Sequence, residues 1–217
     1  VIKLIPMSAV QLSARDIMRA AYENRYTWDS NFPGYTTDVE FKQGDKIYVG
    51  NAKVNPDLSA EVFDIDDEAA LKLVKGQLWE VAIHRVRREF EATHGKNVFA
   101  LGETDDRGAV EILVEGKSTG DKYKVLNDEV VLVHRHIHGV VVTINTFSTH
   151  DTGAGYLSHT YDSVYHDPKT GEQKKGHSQF TDEYGQVGGY HVLTRRAIAS
   201  ADEGDMEFQF TNIQLLE

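Results

Sequence analysis

From residue 97 to its end the chain offers no helical pattern, only short strand-forming stretches cut by turn chemistry. The stretches cover residues 97–103, 109–115, 122–126, 130–138, 140–148, 156–166, 173–182, 190–200 and 206–215. Between them lie Thr104-Asp105-Asp106-Arg107-Gly108, Asn127-Asp128, Gly139, Asp167-Pro168-Lys169-Thr170-Gly171 and Val187-Gly188-Gly189. Glycine, proline and aspartate at these points supply the backbone angles and local hydrogen bonds that tight turns require. Consecutive strands joined by short turns pair antiparallel.

Two helical patterns and three more strands precede this tail. Ser13-Ala14-Arg15-Asp16 reads as a capping box, and Ala14, Ile17, Met18, Ala21 and Tyr22 then recur at helical spacing. This helix should end near Arg25. Residues 35–43, 47–54 and 60–65 read as a three-stranded meander turning at Gly44-Asp45 and Asn55-Pro56-Asp57. Asp66 and Asp67 should cap a second helix running to about Thr93 and stopped at His94-Gly95. Its apolar stripe is Ala70, Val74, Leu78, Val81, Ala82 and Val86, closing with Phe90, while Lys72, Lys75, Glu80, Arg87 and Glu91 lie on the far side. Such a rod would be roughly 40 Å long.

Order and pattern together predict an α+β fold. It is an antiparallel sheet of about ten strands curled into a partial barrel, with the long helix across its concave face and a short N-terminal helix. Residues 11–217 form one domain and residues 1–10 an N-terminal extension, of which residues 1–6 precede a natural start at Met7-Ser8-Ala9. The stretch 156–166 alternates weakly: Ser158, Thr160 and Asp162 fall on one face, Leu157, His159, Tyr161 and Tyr165 on the other. A mixed inner face suits a sheet around a hollow better than a solid core, and small-molecule sites form in such hollows.

Charge and composition narrow the function. Lys plus Arg is 23 against 34 for Asp plus Glu, a formal charge of −11 over 217 residues. Phosphate backbones need clustered cations. The one cluster, Arg85, Arg87 and Arg88, stands beside Glu89 and Glu91, so nucleic acid is not expected as a partner. No apolar run approaches the ~20 residues of a membrane span. The absence of cysteine removes disulfides, thiolate metal sites and cysteine nucleophiles. The opening Val1-Ile2-Lys3-Leu4-Ile5-Pro6 lacks the charged front and small-residue cleavage site of a secretory signal.

Several motifs together carry a family resemblance. They are residues 26–35 (Tyr-Thr-Trp-Asp-Ser-Asn-Phe-Pro-Gly-Tyr), Gly95-Lys96-Asn97 with Leu101-Gly102-Glu103-Thr104, Asp151-Thr152-Gly153-Ala154-Gly155-Tyr156, and residues 187–196. The chain resembles, from about residue 12 to 215, a family best represented in cyanobacteria and plant plastids, domain of unknown function 3386. The resemblance implies a location in the cytoplasm or plastid stroma and brings no catalytic residues with it. A second likeness is architectural. Pro168-Lys169-Thr170-Gly171-Glu172, then Asp182-Glu183-Tyr184, then residues 187–193 look like the C-terminal half of the bacterial lipoprotein carriers. Those are unclosed barrels whose helices cover an apolar hollow for acyl chains. They carry a signal peptide, which this start does not resemble.

Two sets of residues are candidates for a site. Trp28, Phe32 and Tyr35, with Trp79 and Tyr161, offer flat aromatic faces for an apolar ligand such as a lipid, pigment or isoprenoid. The alternative for the aromatics at 22–35 is a small core between the first helix and first strand. His134, His136 and His138 alternate on a strand and so share a face. With His159 from a neighbouring strand they form a possible zinc or copper site, for a metal-binding protein or a metal-dependent enzyme. Scattered histidines on half-exposed strands are the plainer alternative. Asp66-Asp67 and Asp105-Asp106 sit where helix starts and turns favour aspartate. No nucleophile elbow or phosphate loop occurs. Arg195 and Arg196 point to opposite faces of a strand, so at most one serves a given site. Whether the chain is an enzyme stays open at this point.

Overall fold

A computed structural model describes residues 12–217; the N-terminal extension at residues 1–10 lies outside them. The first helix, α1 (Ala14–Glu23), starts as its capping box dictates. The Asp16 N–H donates to Ser13 Oγ at 3.1 Å and the Ser13 N–H to Asp16 Oδ2 at 3.4 Å. The meander follows as β1 (Tyr35–Gln43), β2 (Lys46–Val54) and β3 (Ala60–Phe63).

The second helix is shorter than its pattern predicts. α2 (Glu68–Arg85) stops at Val86, whose ψ of 132° is extended, and the chain resumes as the one-turn α3 (Phe90–His94). No proline or glycine forces the break. The Trp28 N–H takes the Arg85 carbonyl at 2.7 Å and Val86 bridges to Trp28, so a distant backbone group captures the helix end. α2 is therefore about 27 Å long, and Phe90 leaves its stripe for a separate core.

The remaining strands are β4 (Val98–Thr104), β5 (Val110–Glu115), β6 (Lys122–Leu126), β7 (Glu129–Ile137), β8 (Val140–Asp151), β9 (Tyr156–His166), β10 (Ser178–Val187), β11 (Tyr190–Ser200) and β12 (Gly204–Leu215). With β1 to β3 they make one twelve-stranded sheet, the antiparallel α+β arrangement expected at about ten strands. Its order is β3-β2-β1-β12-β11-β10-β9-β8-β7-β6-β5-β4, all neighbours antiparallel. The C-terminal strand pairs with β1, which joins the meander to the tail. β3 and β4 remain as edges, so the barrel is not closed.

Two cores occupy the inner face. Beneath α2, Val74 and Leu78 meet Tyr35, Val39 and Phe41 of β1, Phe208 and Phe210 of β12, and Trp28 and Phe32 of the preceding loop. At the other end Met18 and Tyr22 of α1 and Phe90 of α3 pack on Ile112, Val114, Tyr123 and Val125. A strap, residues 24–28, links them across the mouth. The Asn24 side chain donates to the Asp128 carbonyl at 2.9 Å, the Tyr26 N–H to the Tyr156 carbonyl at 2.9 Å, and Trp28 Nε1 to the His191 carbonyl at 3.0 Å. Gly155 must be glycine for this crossing. Its φ is +126°, and a β-carbon there would stand 2.6 Å from the Asn24 carbonyl oxygen.

Candidate functional site

Between the two cores the inner face of β7–β9 lies only partly covered. Cross-strand register fixes which side chains form it. Val133 pairs with Ile144 and Ile144 with Ser163, Arg135 with Val142 and Val142 with Tyr165, and Thr146 with Tyr161. Val133 packs against the α1 core, so this set faces the helices. Ser163 and Val142 are buried, but Val133, Ile144, Thr146, Tyr161 and Tyr165, with Phe180 beside them on β10, are half-buried. The inner side of the unclosed sheet here is a half-buried floor of apolar and aromatic side chains, with α1 over its β7 end and the strap crossing at β9; the hollow is the space over this floor.

A polar network sits where this floor meets the α2 core. Arg196 is 3% exposed and Asp182 1%. Arg196 donates from Nε to Asp182 Oδ1 and from Nη2 to Oδ2, both at 2.8 Å. Nη2 also donates to Tyr161 Oη at 3.0 Å and Nη1 to Gln77 Oε1 at 2.9 Å, with Glu80 Oε2 3.4 Å from Nη1. Tyr161 Oη in turn donates a hydrogen bond to Asp182 Oδ2 at 2.9 Å. The guanidinium thus spends its donors inside the protein, as a buried charge must. Burial holds the Tyr161 phenol well above its ordinary pKa and pushes Tyr184 up to about 12. Glu80, assigned from the pattern to the far side of the helix, instead looks onto this network.

Further along, Arg85 Nη2 donates to Tyr184 Oη at 3.1 Å, and Tyr184 Oη donates to the Ser158 carbonyl at 3.1 Å. His159 Nδ1 donates to the Asp182 carbonyl at 2.8 Å. Its ring lies 4.3 Å from that of His150, whose Nε2 is buried with no hydrogen-bond partner. His84 is accessible to solvent yet ringed by protein. Desolvation first, then the charges of Arg85, Arg25, Arg196 and Arg135, push its pKa below the ordinary histidine range.

The expected site residues distribute unevenly. Trp28, Phe32 and Tyr35 belong to the α2 core, 3%, 6% and 1% exposed, with Trp28 and Phe32 stacked at 3.9 Å. In this conformation they offer a ligand little surface. Trp79 is exposed. It lies two residues beyond Gln77, about 200° round the helix, so it faces away from the network. Tyr161 is the member of that set that reaches the hollow.

The histidine row does not assemble into a metal centre. His134 pairs with Thr143, and Thr143 with Val164, between the inward-facing Ser163 and Tyr165. Strand alternation therefore puts His134 and His136 on the outer face, with their rings 6.0 Å apart. Their Nδ1 atoms are engaged by Thr143 Oγ1 at 2.9 Å and Asp121 Oδ1 at 3.0 Å. His138 has left the strand, with φ +50° in the β7–β8 turn, and His159 is on the opposite, inner face. Among the described residues no group of three or more His, Asp or Glu side chains is gathered to hold a metal ion. Two shallow depressions, about 530 and 430 Å³, lie along β10–β12 and β1–β3 and bring no network together.

No helix among the described residues is long and apolar enough to cross a membrane. A family model described as "Protein of unknown function (DUF3386)" matches residues 9–216. No curated protein sequence matches the chain. Among solved structures it is similar to a putative outer membrane lipoprotein-sorting protein domain from Vibrio parahaemolyticus, at 11% identity and TM-score 0.31, over 94% of this chain and 93% of that one. It is also similar to a LolA superfamily protein from Nitrosomonas europaea, at 10% identity and TM-score 0.33, over 95% of both chains. A DUF1329 family protein from Desulfovibrio piger matches at 8% identity and TM-score 0.29, over 93% of this chain and 91% of that one. Scores this low say nothing about what the hollow holds.

Proposed function

The chain belongs to the DUF3386 family, and from its own geometry we propose that it is a binding or carrier protein for an apolar small molecule, held in the hollow between α2 and the inner face of β7–β9. The observation that carries this reading is the half-covered state of Val133, Ile144, Tyr161, Tyr165 and Phe180 on the helix-facing side of the sheet. An inward-facing apolar surface beside two sealed cores is stabilised by whatever covers it, at roughly 25 cal/mol for each Å² removed from water. Aromatic floors with a few fixed polar groups at the margin are the usual make-up of small-molecule sites.

The test is saturable binding of N-phenyl-1-naphthylamine, a neutral apolar probe whose fluorescence rises on leaving water. Wild-type protein should bind it, and Ile144→Trp, which places an indole over the floor, should weaken binding by about tenfold, a loss of ~1.4 kcal/mol. Unchanged melting temperature would confirm that Ile144→Trp is folded. Absence of saturable binding by the wild type, or full binding by a folded Ile144→Trp, would refute the proposal.

A further inference from the structure

In a chain of net charge −11, arginines find carboxylates easily. Among the described residues Arg15, Arg19, Arg87, Arg107, Arg135, Arg195 and Arg196 each have one within 4.0 Å, while Arg25, Arg85 and Arg88 have none. Arg88 is exposed. Arg25 and Arg85 are half-buried, where an unpaired guanidinium is disfavoured. Arg25 lies on the strap and Arg85 at the end of α2 that the strap captures. Arg25 is three residues before Trp28, whose N–H is bonded to the Arg85 carbonyl, and Arg25 itself bridges to Tyr156 on β9. The charges of both reach Tyr156 and His84.

Their visible partners are neutral. Arg25 Nε donates to the Tyr22 carbonyl at 3.0 Å with the guanidinium 3.9 Å from the Tyr22 ring centre. Arg85 donates to Tyr184 Oη and sits 5.6 Å from that ring. The His150 ring lies 5.9 Å from the same Tyr184 ring, and among the described residues His150 Nε2 is the buried side-chain N or O atom left without a partner. Glu129, whose charge also reaches Tyr156, is held by Thr149 Oγ1 at 2.9 and 3.1 Å. Two carboxylate-free guanidiniums, on the strap and at the end of α2, and an unpartnered imidazole nitrogen on β8 thus lie beside the half-buried inner face of the sheet.

We propose that these groups form an anion seat: the molecule bound in the hollow carries a carboxylate or phosphate at one end, which Arg25 and Arg85 engage with His150 Nε2–H as a further donor. The inference rests on the hollow reading above and names the chemistry of its ligand. Guanidinium is suited to both anions, because its planar donors match their oxygen pairs.

The experiment compares hexadecanoate, hexadecyl phosphate and neutral hexadecanol on the wild-type chain by calorimetry, with acetate and inorganic phosphate as headgroups alone. At least one long-chain anion should bind about tenfold or more tighter than hexadecanol. Arg25→Gln and Arg85→Gln should each remove most of that preference, read as the ratio of anion to hexadecanol affinity in the same variant, while Arg85→Lys should retain part of it. Equal affinity for hexadecanol and both anions overturns the anion seat and leaves the hollow reading standing. So does a preference that survives in the Arg25→Gln/Arg85→Gln double variant. If no long chain binds, both readings fail. If inorganic phosphate alone binds as tightly as its hexadecyl ester, and the Gln variants abolish it, the seat is upheld and its occupant is a free anion. The wild-type series decides the matter even if a variant does not fold.

Discussion

The two halves of the inner sheet face obey different rules. Under α2, Tyr35, Val39, Phe41, Phe208 and Phe210 are 0–2% exposed, and Val39 and Phe41 of β1 and Met206, Phe208 and Phe210 of β12 are apolar at alternate positions. On β7–β9 the matching positions hold Val133, Ile144, Thr146, Tyr161 and Tyr165, half-covered and mixed in polarity. The first region is complete by itself. The second is a surface turned inward without a lid, with a sealed ion pair, Arg196–Asp182, at its margin. Packing is therefore complete beneath α2 and left half-finished over β7–β9, between that core and the one at α1.

This contrast can be broken by substitution. Phe208→Ala should cost about 3–5 kcal/mol in denaturant unfolding, as large aromatic deletions from packed cores do. Asp182→Ala, which strands a buried guanidinium, should cost a comparable ~3–5 kcal/mol; a loss below about 1 kcal/mol would mean that the network is solvated and part of the hollow proper. Acid should act on the α1 end. Burial first, then the Arg135, Arg25 and Arg15 charges, lower the His94 pKa from 6.5 to about 4. The unfolded chain thus binds the proton more readily, and this contribution is intact above pH 6.5 and lost as pH falls toward 4. His94→Gln should flatten the stability profile in that window by on the order of 2 kcal/mol, measured as the difference in slope from wild type. Ile144→Ala on the open floor should cost only about 1 kcal/mol or less. A loss there equal to that of Phe208→Ala would erase the distinction between the two regions.

Local rules made much of this legible in the sequence. The Ser13–Asp16 box, the meander and the turn at Gly188-Gly189 rest on neighbours in the chain, and each lies where the pattern puts it. The opposite facing of Arg195 and Arg196 also follows from strand period, with Arg195 on Glu207 at 3.1 Å and Arg196 on Asp182. What escaped depends on distant partners. The end of α2 is set by the Trp28 N–H, and no residue near Val86 announces it. Strand period places His134 beside His136 but cannot tell inner from outer face, which is decided by the register of β7 through β9. Gln77, Glu80, Arg25, Arg85 and His150 carry no motif. A count of arginines against nearby carboxylates is the signal that finds two of them, and it needs coordinates.

The gap between β3 and β4 has one more consequence. A sealed barrel has its girth dictated by how many strands it owns and how they are staggered. A sheet with two loose margins can widen or tighten by flexing its twist, and no interstrand bond need break. The width of the space over β7–β9 is thus set by curvature, and under the proposed carrier role it would fit guests of unequal width.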